Sequence, residues 1–395
     1  MQKKLIALAV AGLAAAPAFA QSNVTIYGLV DVGAEWASSG AGGNRGSDFR
    51  IQSGQQAGSR LGFKGQEDLG NGLSAIWTLE MGLSLDNGKS TVHGTNGGDT
   101  GAANVQNVNS DTSTAIFQRQ AFAGLKSNSL GQLTFGRQYT PFYAVKASTD
   151  PFALGLGGTL NNLMGYVPGN ADRLNNFALY VSPSFAGFTF GAGYSTGQEN
   201  NSNANNLGGN SYEAGRTFGA LAQYANGPVY VGLAYHNART VPAGVTGSVP
   251  RADAWYLGAS YDFQVVKLFA NYSQGSAAKN TVGSDNDLKG RLWNVGVTVP
   301  FLGKHKVIAA YTQAYNNTAG SPSNDGAKLW GLGYTYDLSK RTNLYTSYAR
   351  LIKDDNSGTW NANGQVRIDG AVAQGLTGVA GKNAQSLMVG VQHRF

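Results

Sequence analysis

Ser195 sits in Gly193-Tyr194-Ser195-Thr196-Gly197, a string that in acyl-transfer enzymes lifts a nucleophilic serine onto a strand-turn-helix elbow. An Asn-rich stretch, 198–210, follows in place of a helix, so the nucleophile has no elbow to stand on. Gly88-Lys89-Ser90 ends like a phosphate-cradling loop, but Leu83 stands where that loop's first glycine is required. The four histidines, His93, His236, His305 and His393, lack both the HExxH spacing and a close acidic partner that zinc chemistry needs. Asp285-Asn286-Asp287 offers oxygen ligands without the rest of a calcium loop. The absence of cysteine removes thiol catalysis, zinc fingers and disulfide frameworks. These residues imply neither an enzyme nor a cofactor.

What remains is the chemistry of fixed charge and of aromatic rings, and its meaning depends on the elements that carry it. Charged residues make up 13% of the chain, about half the usual quarter, while glycine, at 56 of 395 residues, is about twice its usual 7%. Nineteen tyrosines, 17 phenylalanines and six tryptophans against a net charge of +7 exclude wholesale disorder. After residue 20 no run of Lys or Arg exists, so the chain has no basic patch for nucleic acid. Residues 1–20 read as a secretory signal: Lys3 and Lys4, an apolar run 5–16, and Ala18-Phe19-Ala20 at the cleavage site. That leaves 21–395 as one domain.

No later segment has 18 consecutive apolar residues, so the exported chain holds no candidate spanning helix. A closed sheet is the other structure that satisfies every backbone N–H and C=O in lipid. Its signature is period-two apolarity in strands of roughly ten residues. Leu387, Val389, Val391, His393 and Phe395 share one face of the last strand, and Ser386, Met388, Gly390, Gln392 and Arg394 the other. Near the start, Val24, Ile26, Val30 and Val32 alternate with Thr25, Tyr27, Asp31 and Glu35, which puts Asp31 toward a polar interior.

Further candidate strands run at 60–67, 73–81, 117–126, 132–138, 175–182, 188–195, 217–224 and 229–237, then at 254–263, 267–274, 291–299, 306–314, 328–337, 342–351 and 385–395. With the first they make about 16, the even number a single-chain barrel requires. Short turns such as 68–72, 128–131 and 302–304 alternate with long polar segments at 37–58, 82–115, 139–172, 196–215, 238–252, 275–289, 315–327 and 352–384. This alternation fits an antiparallel transmembrane β-barrel with long loops at one end. Trp77, Tyr194, Tyr224, Tyr235, Tyr261, Tyr272, Trp330, Tyr336 and Tyr345 fall near strand ends, where interfacial girdles would lie. Arg60 and Lys64 alternate with Leu61 and Phe63 and therefore point inward; Glu80 shares that interior. Arg137 has the parity of Leu133 and Phe135 and needs a bulge, a strand end or a subunit seam to escape lipid.

Several stretches carry a family resemblance. They are Val24-Thr25-Ile26-Tyr27-Gly28, the run 59–73 (SRLGFKGQEDLGNGL), Arg119-Gln120-Ala121-Phe122 with Leu125, Gly136-Arg137-Gln138, Ser182-Pro183 with Phe185 and Gly187, Ser339-Lys340-Arg341-Thr342, and the terminal Phe395. Together they resemble the general trimeric porins of β-proteobacteria and Neisseria. The resemblance implies an all-β, 16-stranded antiparallel transmembrane β-barrel in the outer membrane, assembled as a homotrimer with a seam at the first and last strands. Each subunit would pass ions and small hydrophilic solutes by passive diffusion. The third long loop, 139–172, would fold inward, with Arg60, Arg119 and Arg173 on the wall, Lys64 beside them, and Asp150 across the constriction. Guanidinium groups stay charged at all relevant pH and favour anions in a narrow pore; Asp31 and Glu80 would temper that preference. Phe395, with His393 and Val391, resembles the signal read by the barrel-insertion machinery. Two other readings use the same barrel: a substrate-specific channel, marked by aromatic tracks along the lumen, and a closed barrel whose loops act as adhesin or receptor.

Overall fold

A computed structural model describes residues 23–38, 48–90, 116–196, 215–239, 251–278, 287–319, 325–354 and 383–395. Residues 1–20, read above as a secretory signal, and His93, Asp285 and Asn286 lie outside the described residues, as does much of the long connectors. The strands are β1 (Asn23–Ser38), β2 (Asp48–Ser53), β3 (Arg60–Gly70), β4 (Leu73–Gly82), β5 (Gln120–Ser127), β6 (Gly131–Tyr139), β7 (Arg173–Val181), β8 (Phe188–Thr196) and β9 (Arg216–Asn226). They continue with β10 (Val229–Arg239), β11 (Arg251–Asp262), β12 (Lys267–Ala277), β13 (Leu288–Phe301), β14 (His305–Asn316), β15 (Gly326–Asp337), β16 (Thr342–Lys353) and β17 (Ala384–Arg394).

Consecutive strands from β3 onward pair antiparallel, and β1 closes the sheet by pairing with β17 from Leu29↔Arg394 to Ser38↔Gln385. The other edge of β1 pairs with β3 at Asn23–Leu29 and with β2 at Val32–Ala37. β2 and β3 are therefore two halves of one stave, interrupted at 54–59, and 17 segments make a closed barrel of 16 staves. Closure matters because a barrel leaves no edge with unpaired backbone groups in lipid. β2 falls inside a stretch that reads as loop. It is only six residues long, yet it alternates in register with β1 and leaves Phe49 and Ile51 on the outer face.

The two faces separate by parity. Val24 and Ile26 of β1, Phe188, Phe190 and Tyr194 of β8, and Leu387, Val389 and Val391 of β17 are all exposed on the outside, where lipid covers them. On an ordinary water-soluble surface so continuous an apolar band would be an interaction or aggregation site. Tyr345 departs from the girdle expected of it. It has the parity of Ser347 and Ala349, faces inward, and is buried.

Inside the barrel lies the connector between β6 and β7. Thr140 caps a helix, α1 (Pro141–Thr149), by accepting from the Tyr143 N–H at 3.1 Å, and Pro141 occupies the first turn, where its missing N–H costs nothing. A 3-10 helix, Leu160–Tyr166, follows. Phe142, Val145, Leu160, Leu163 and Met164 of this connector pack against inward side chains of the wall, among them Tyr256, Leu292, Leu329 and Leu351. Each such burial is worth roughly 1.5–3 kcal/mol. The wall meets the connector with glycines. A Cβ on Gly232 would strike Val145, one on Gly258 would strike Thr149, and one on Gly331 would strike the backbone of Gly158. Much of the glycine excess in β9–β15 thus keeps the inner face flat where the connector lies on it.

Candidate pore constriction

Arg60 opens β3, Glu80 lies on the inward face of β4, Arg119 immediately precedes β5, Tyr139 ends β6, and Arg173 starts β7. Antiparallel pairing of these neighbours brings their loop-side ends together, so residues spread over more than a hundred positions form one cluster. The Arg119 Nε lies 2.8 Å from the Glu80 Oε1, and its Nη2 donates to the Tyr139 hydroxyl at 2.8 Å. The Arg173 Nη2 donates to the same hydroxyl at 2.8 Å, with its guanidinium 4.4 Å from the ring centroid. Tyr27 of β1 donates to the other Glu80 oxygen at 3.0 Å. Tyr143 of α1 stacks on Tyr139 with centroids 4.0 Å apart and planes within 9°, which joins the connector to the arginine wall. Burial, reinforced by the Tyr139 ring, pushes the Tyr143 phenol well above its ordinary value, so it stays protonated.

The three arginines expected at a constriction are thus brought together, with Glu80 as their acid. Arg119 and Arg173 are each 3% exposed. Arg60 is half-buried, donates from Nε to the Gly58 carbonyl at 2.9 Å, and reaches a cavity of about 440 Å3. Lys306, Arg394 and Gln392 line the same cavity, and Phe152 and Leu156 of the connector form its apolar side. Lys64, on the same face of β3 but toward the short-turn end, is exposed with its Nζ 5.3 Å from the Tyr27 ring centroid. It stands below the cluster.

The remaining acids are each engaged by partners of their own. Asp150 does not reach across to the arginines. Its carboxylate accepts from the Thr159 hydroxyl at 2.5 Å and the Leu154 N–H at 2.8 Å, with longer contacts to the Phe152 and Leu160 N–H groups, so it folds its own loop. Burial raises its pKa, and these donors oppose the rise. Asp172, the other acid of the connector, pairs at 2.5 Å with Lys146, which is fully buried and also donates to Asn161 at 2.7 Å. Asp31 does point inward but is sealed. It accepts from the Tyr345 hydroxyl at 2.7 Å, from Gln392 at 3.2 Å, and from the Gln56 and Ala57 N–H groups at 3.0 and 2.8 Å, pinning the interruption between β2 and β3.

Sequence reasoning did not identify Tyr27, Tyr139, Tyr143 or the Lys146–Asp172 pair. The Thr140-Pro141 helix start was the available signal for the last two elements. Arg137 is rescued by a register irregularity between Gly136 and Gln138; it donates to the Gln118 carbonyl at 2.5 Å and to Asn175 at 2.6 Å. At the chain end, Phe395 and Gly28 exchange backbone hydrogen bonds of 3.1 Å, and the Phe395 ring covers the face of Gly28. His393 contacts Thr342 at 2.8 Å, and Val391 pairs with Val32 and Leu344. The Ser195 hydroxyl donates to a backbone carbonyl and His236 contacts the Gly169 carbonyl. Among the described residues no group of three potential metal ligands converges.

A family model for Gram-negative porins matches residues 7–359. An outer membrane porin protein of Bordetella pertussis is 33% identical over 89% of this chain and 94% of its own length. Outer membrane porin protein 32 of Delftia acidovorans is 31% identical over the full length of both. Among solved structures, the anion-selective porin from Comamonas acidovorans superposes with a TM-score of 0.73 at 27% identity, covering 95% of this chain and 100% of that one. Closed 16-stave barrel, polar interior and whole-length relatives agree with the resemblance carried by 59–73 and the terminal strand, and they describe a channel rather than an enzyme. The chain belongs to the Gram-negative porins, passive channels of the outer membrane.

Proposed function

We propose that each barrel is a water-filled diffusion pore for small hydrophilic solutes with a mild preference for anions, and that three barrels assemble through their first and last strands. The observation that carries the preference is the cluster around Tyr139, in which Arg60, Arg119 and Arg173 face one carboxylate, Glu80. Both acids of the connector are engaged elsewhere, Asp150 by its own backbone and Asp172 by Lys146. The narrowing therefore carries an uncompensated positive charge in a low-dielectric wall, which attracts anions and repels cations. Lys64, Lys306 and Arg394 extend the same sign toward the short-turn end. A relative described as anion-selective supports this reading. The stacked rings of Tyr139 and Tyr143 are taken up by Arg173 and by the connector helix and do not lie open as a track for a solute, which is the observation we set against a substrate-specific channel.

The test is planar-bilayer recording of purified protein under a salt gradient. Conductance in steps of three with an anion-selective reversal potential is the expected result. A cation-selective reversal would reject the arginine assignment, and a folded trimer without conductance would reject the open pore. We also infer that cleavage follows Ala20 and that Phe395 marks the chain for insertion. N-terminal sequencing of the membrane form tests the first, and assembly of a Phe395→Ala variant tests the second.

A further inference from the structure

A water-filled barrel turns polar side chains inward, yet the wall of β4 and β5 turns two large apolar ones into the lumen. Ile76 and Phe122 have inward parity and are half-buried. They are absent from the apolar clusters that the connector makes with the wall around Phe142, Phe152 and Ala171. The strand register fixes their neighbours. Thr25, Lys64, Thr78 and Phe122 form one row across β1, β3, β4 and β5, through the pairs Thr25↔Lys64, Lys64↔Thr78 and Thr78↔Phe122. In the next inward row toward the short turns stand Gln66, Ile76 and Gly124. Ile76 and Phe122 are therefore diagonal neighbours on one face, within reach of each other as a single apolar patch.

These residues line a cavity of about 530 Å3 on the short-turn side of the arginine cluster. Lys64 is exposed in it, with its Nζ 5.3 Å from the Tyr27 ring centroid, and has no carboxylate partner among the described residues. The Tyr27 ring lies over Gly62 and is held there by the hydrogen bond to Glu80, so the ring that backs the ammonium is fixed in place. Thr25 and Thr78 flank Lys64 in its row and add hydroxyl groups. The Gln66 amide is taken up by the Ser74 hydroxyl, to which it donates at 3.1 Å. Asp68 lies at the outer end of the same cavity, where its carboxylate accepts from the Gly70 N–H at 2.9 Å. The cavity therefore offers a cation beside hydroxyl groups, an apolar floor next to them, and a negative charge at its far end.

We propose that this cavity is a weak binding subsite for aromatic monocarboxylates, with the carboxylate at Lys64 and Thr78 and the ring on Phe122 and Ile76. A ring laid on a ring gains from offset or edge contact as well as from burial, and the ammonium supplies the opposite charge. Asp68 disfavours a ligand with a second carboxylate at its far end. The subsite rests on the reading of the barrel as an open pore, since solute reaches it only through the lumen. Occupancy is brief enough to let the solute leave, so the pore delays aromatic acids while other small solutes pass.

Saturation-transfer NMR of the detergent-solubilised protein with phenylacetate tests this, together with single-channel recording in the presence of the same probe. Acetate lacks the ring, benzyl alcohol lacks the charge, and p-phenylenediacetate carries a second carboxylate. Saturable transfer to the phenylacetate ring protons and brief current interruptions are expected, with weaker effects from all three comparison probes. Binding should fall roughly fivefold in Phe122→Ser and roughly threefold in Lys64→Gln. Phe122→Tyr, which keeps the ring, retains most of the binding and separates loss of the ring from misfolding. Undiminished binding in Phe122→Ser and Lys64→Gln overturns the proposal, as does equal binding of any comparison probe. Binding lost in Arg60→Gln but kept in Lys64→Gln would move the ligand to the arginine cluster and overturn it too. A conducting channel without saturable transfer rejects the subsite alone, whereas saturable transfer to a protein that does not conduct rejects the open pore and keeps the subsite.

Discussion

Glu80→Gln and Arg60→Gln should move ion preference in opposite directions. Glu80 is the acid within a cluster of three arginines, its carboxylate 2.8 Å from Arg119 and 3.0 Å from the Tyr27 hydroxyl. Glutamine keeps the shape and one acceptor for Arg119 while removing the charge. For an ion passing at about 8 Å, one unit charge contributes about 0.5 kcal/mol at the dielectric of water and about 1 kcal/mol at half that value. Screening at 0.1 M salt, with a Debye length of about 10 Å, roughly halves both figures. An anion gains what a cation loses, so the permeability ratio should rise about twofold to fivefold in Glu80→Gln. It should fall by a similar factor in Arg60→Gln, and the double variant should return near wild type. The assay is reversal potential in a KCl gradient centred near 0.1 M. Near 1 M, where the Debye length is about 3 Å, the difference should collapse. A ratio that stays unchanged in both variants at low salt, or that moves the same way in both, would refute control by this cluster.

Lys146→Met leaves Asp172 buried without its counter-charge, a loss of about 3–5 kcal/mol that falls on the connector rather than on the barrel. Single-channel conductance should become larger and noisier while the folded barrel survives the same heating as wild type. Gly331→Val places a side chain where Gly158 now rests and should give the same conductance phenotype, whereas Leu332→Val, on the lipid face, should not. Gly28→Leu drives a side chain into the Phe395 ring and should lower the fraction of folded, heat-modifiable protein after insertion, as should Phe395→Ala.

Much of the barrel was legible because parity is a strong signal wherever one face meets lipid. The terminal strand, with Leu387, Val389 and Val391 outside and Met388 and Gln392 buried, reads directly from its letters. Arg60 and Lys64 were placed inward by the same rule. Parity could also have excluded Tyr345 from the girdle, since Leu344 and Tyr348 are its outward neighbours. β2 escaped notice because six residues between polar stretches carry little periodicity, and its partner β1 supplies the register. α1 is nine residues long, below the length at which a helix is stable alone, and depends on Phe142 and Val145 seating against the wall. The direction of Asp150 was not legible at all. A carboxylate followed by Pro-Phe-Ala-Leu can face a lumen or cap its own turn, and the Thr159 hydroxyl with the N–H groups of Phe152, Leu154 and Leu160 decides between them.

How the arginines are held bears on what kind of channel this can be. Arg119 is fixed at one nitrogen by Glu80 and at another by Tyr139, and Arg173 is fixed by the ring and hydroxyl of the same tyrosine. Both guanidinium groups are almost fully buried, 3% exposed each, and so cannot wrap a solute, yet their charge still acts on the lumen. Only Arg60 reaches open space, and there it meets Lys306 and Arg394 across a floor of Phe152 and Leu156, which offer no hydrogen bonds. Conduction requires sites attractive enough to enter and weak enough to leave. A wall that contributes field rather than ligands meets that condition for many small anions at once. The same constraint that keeps the arginines from folding onto a solute is therefore what makes the proposed pore a general one.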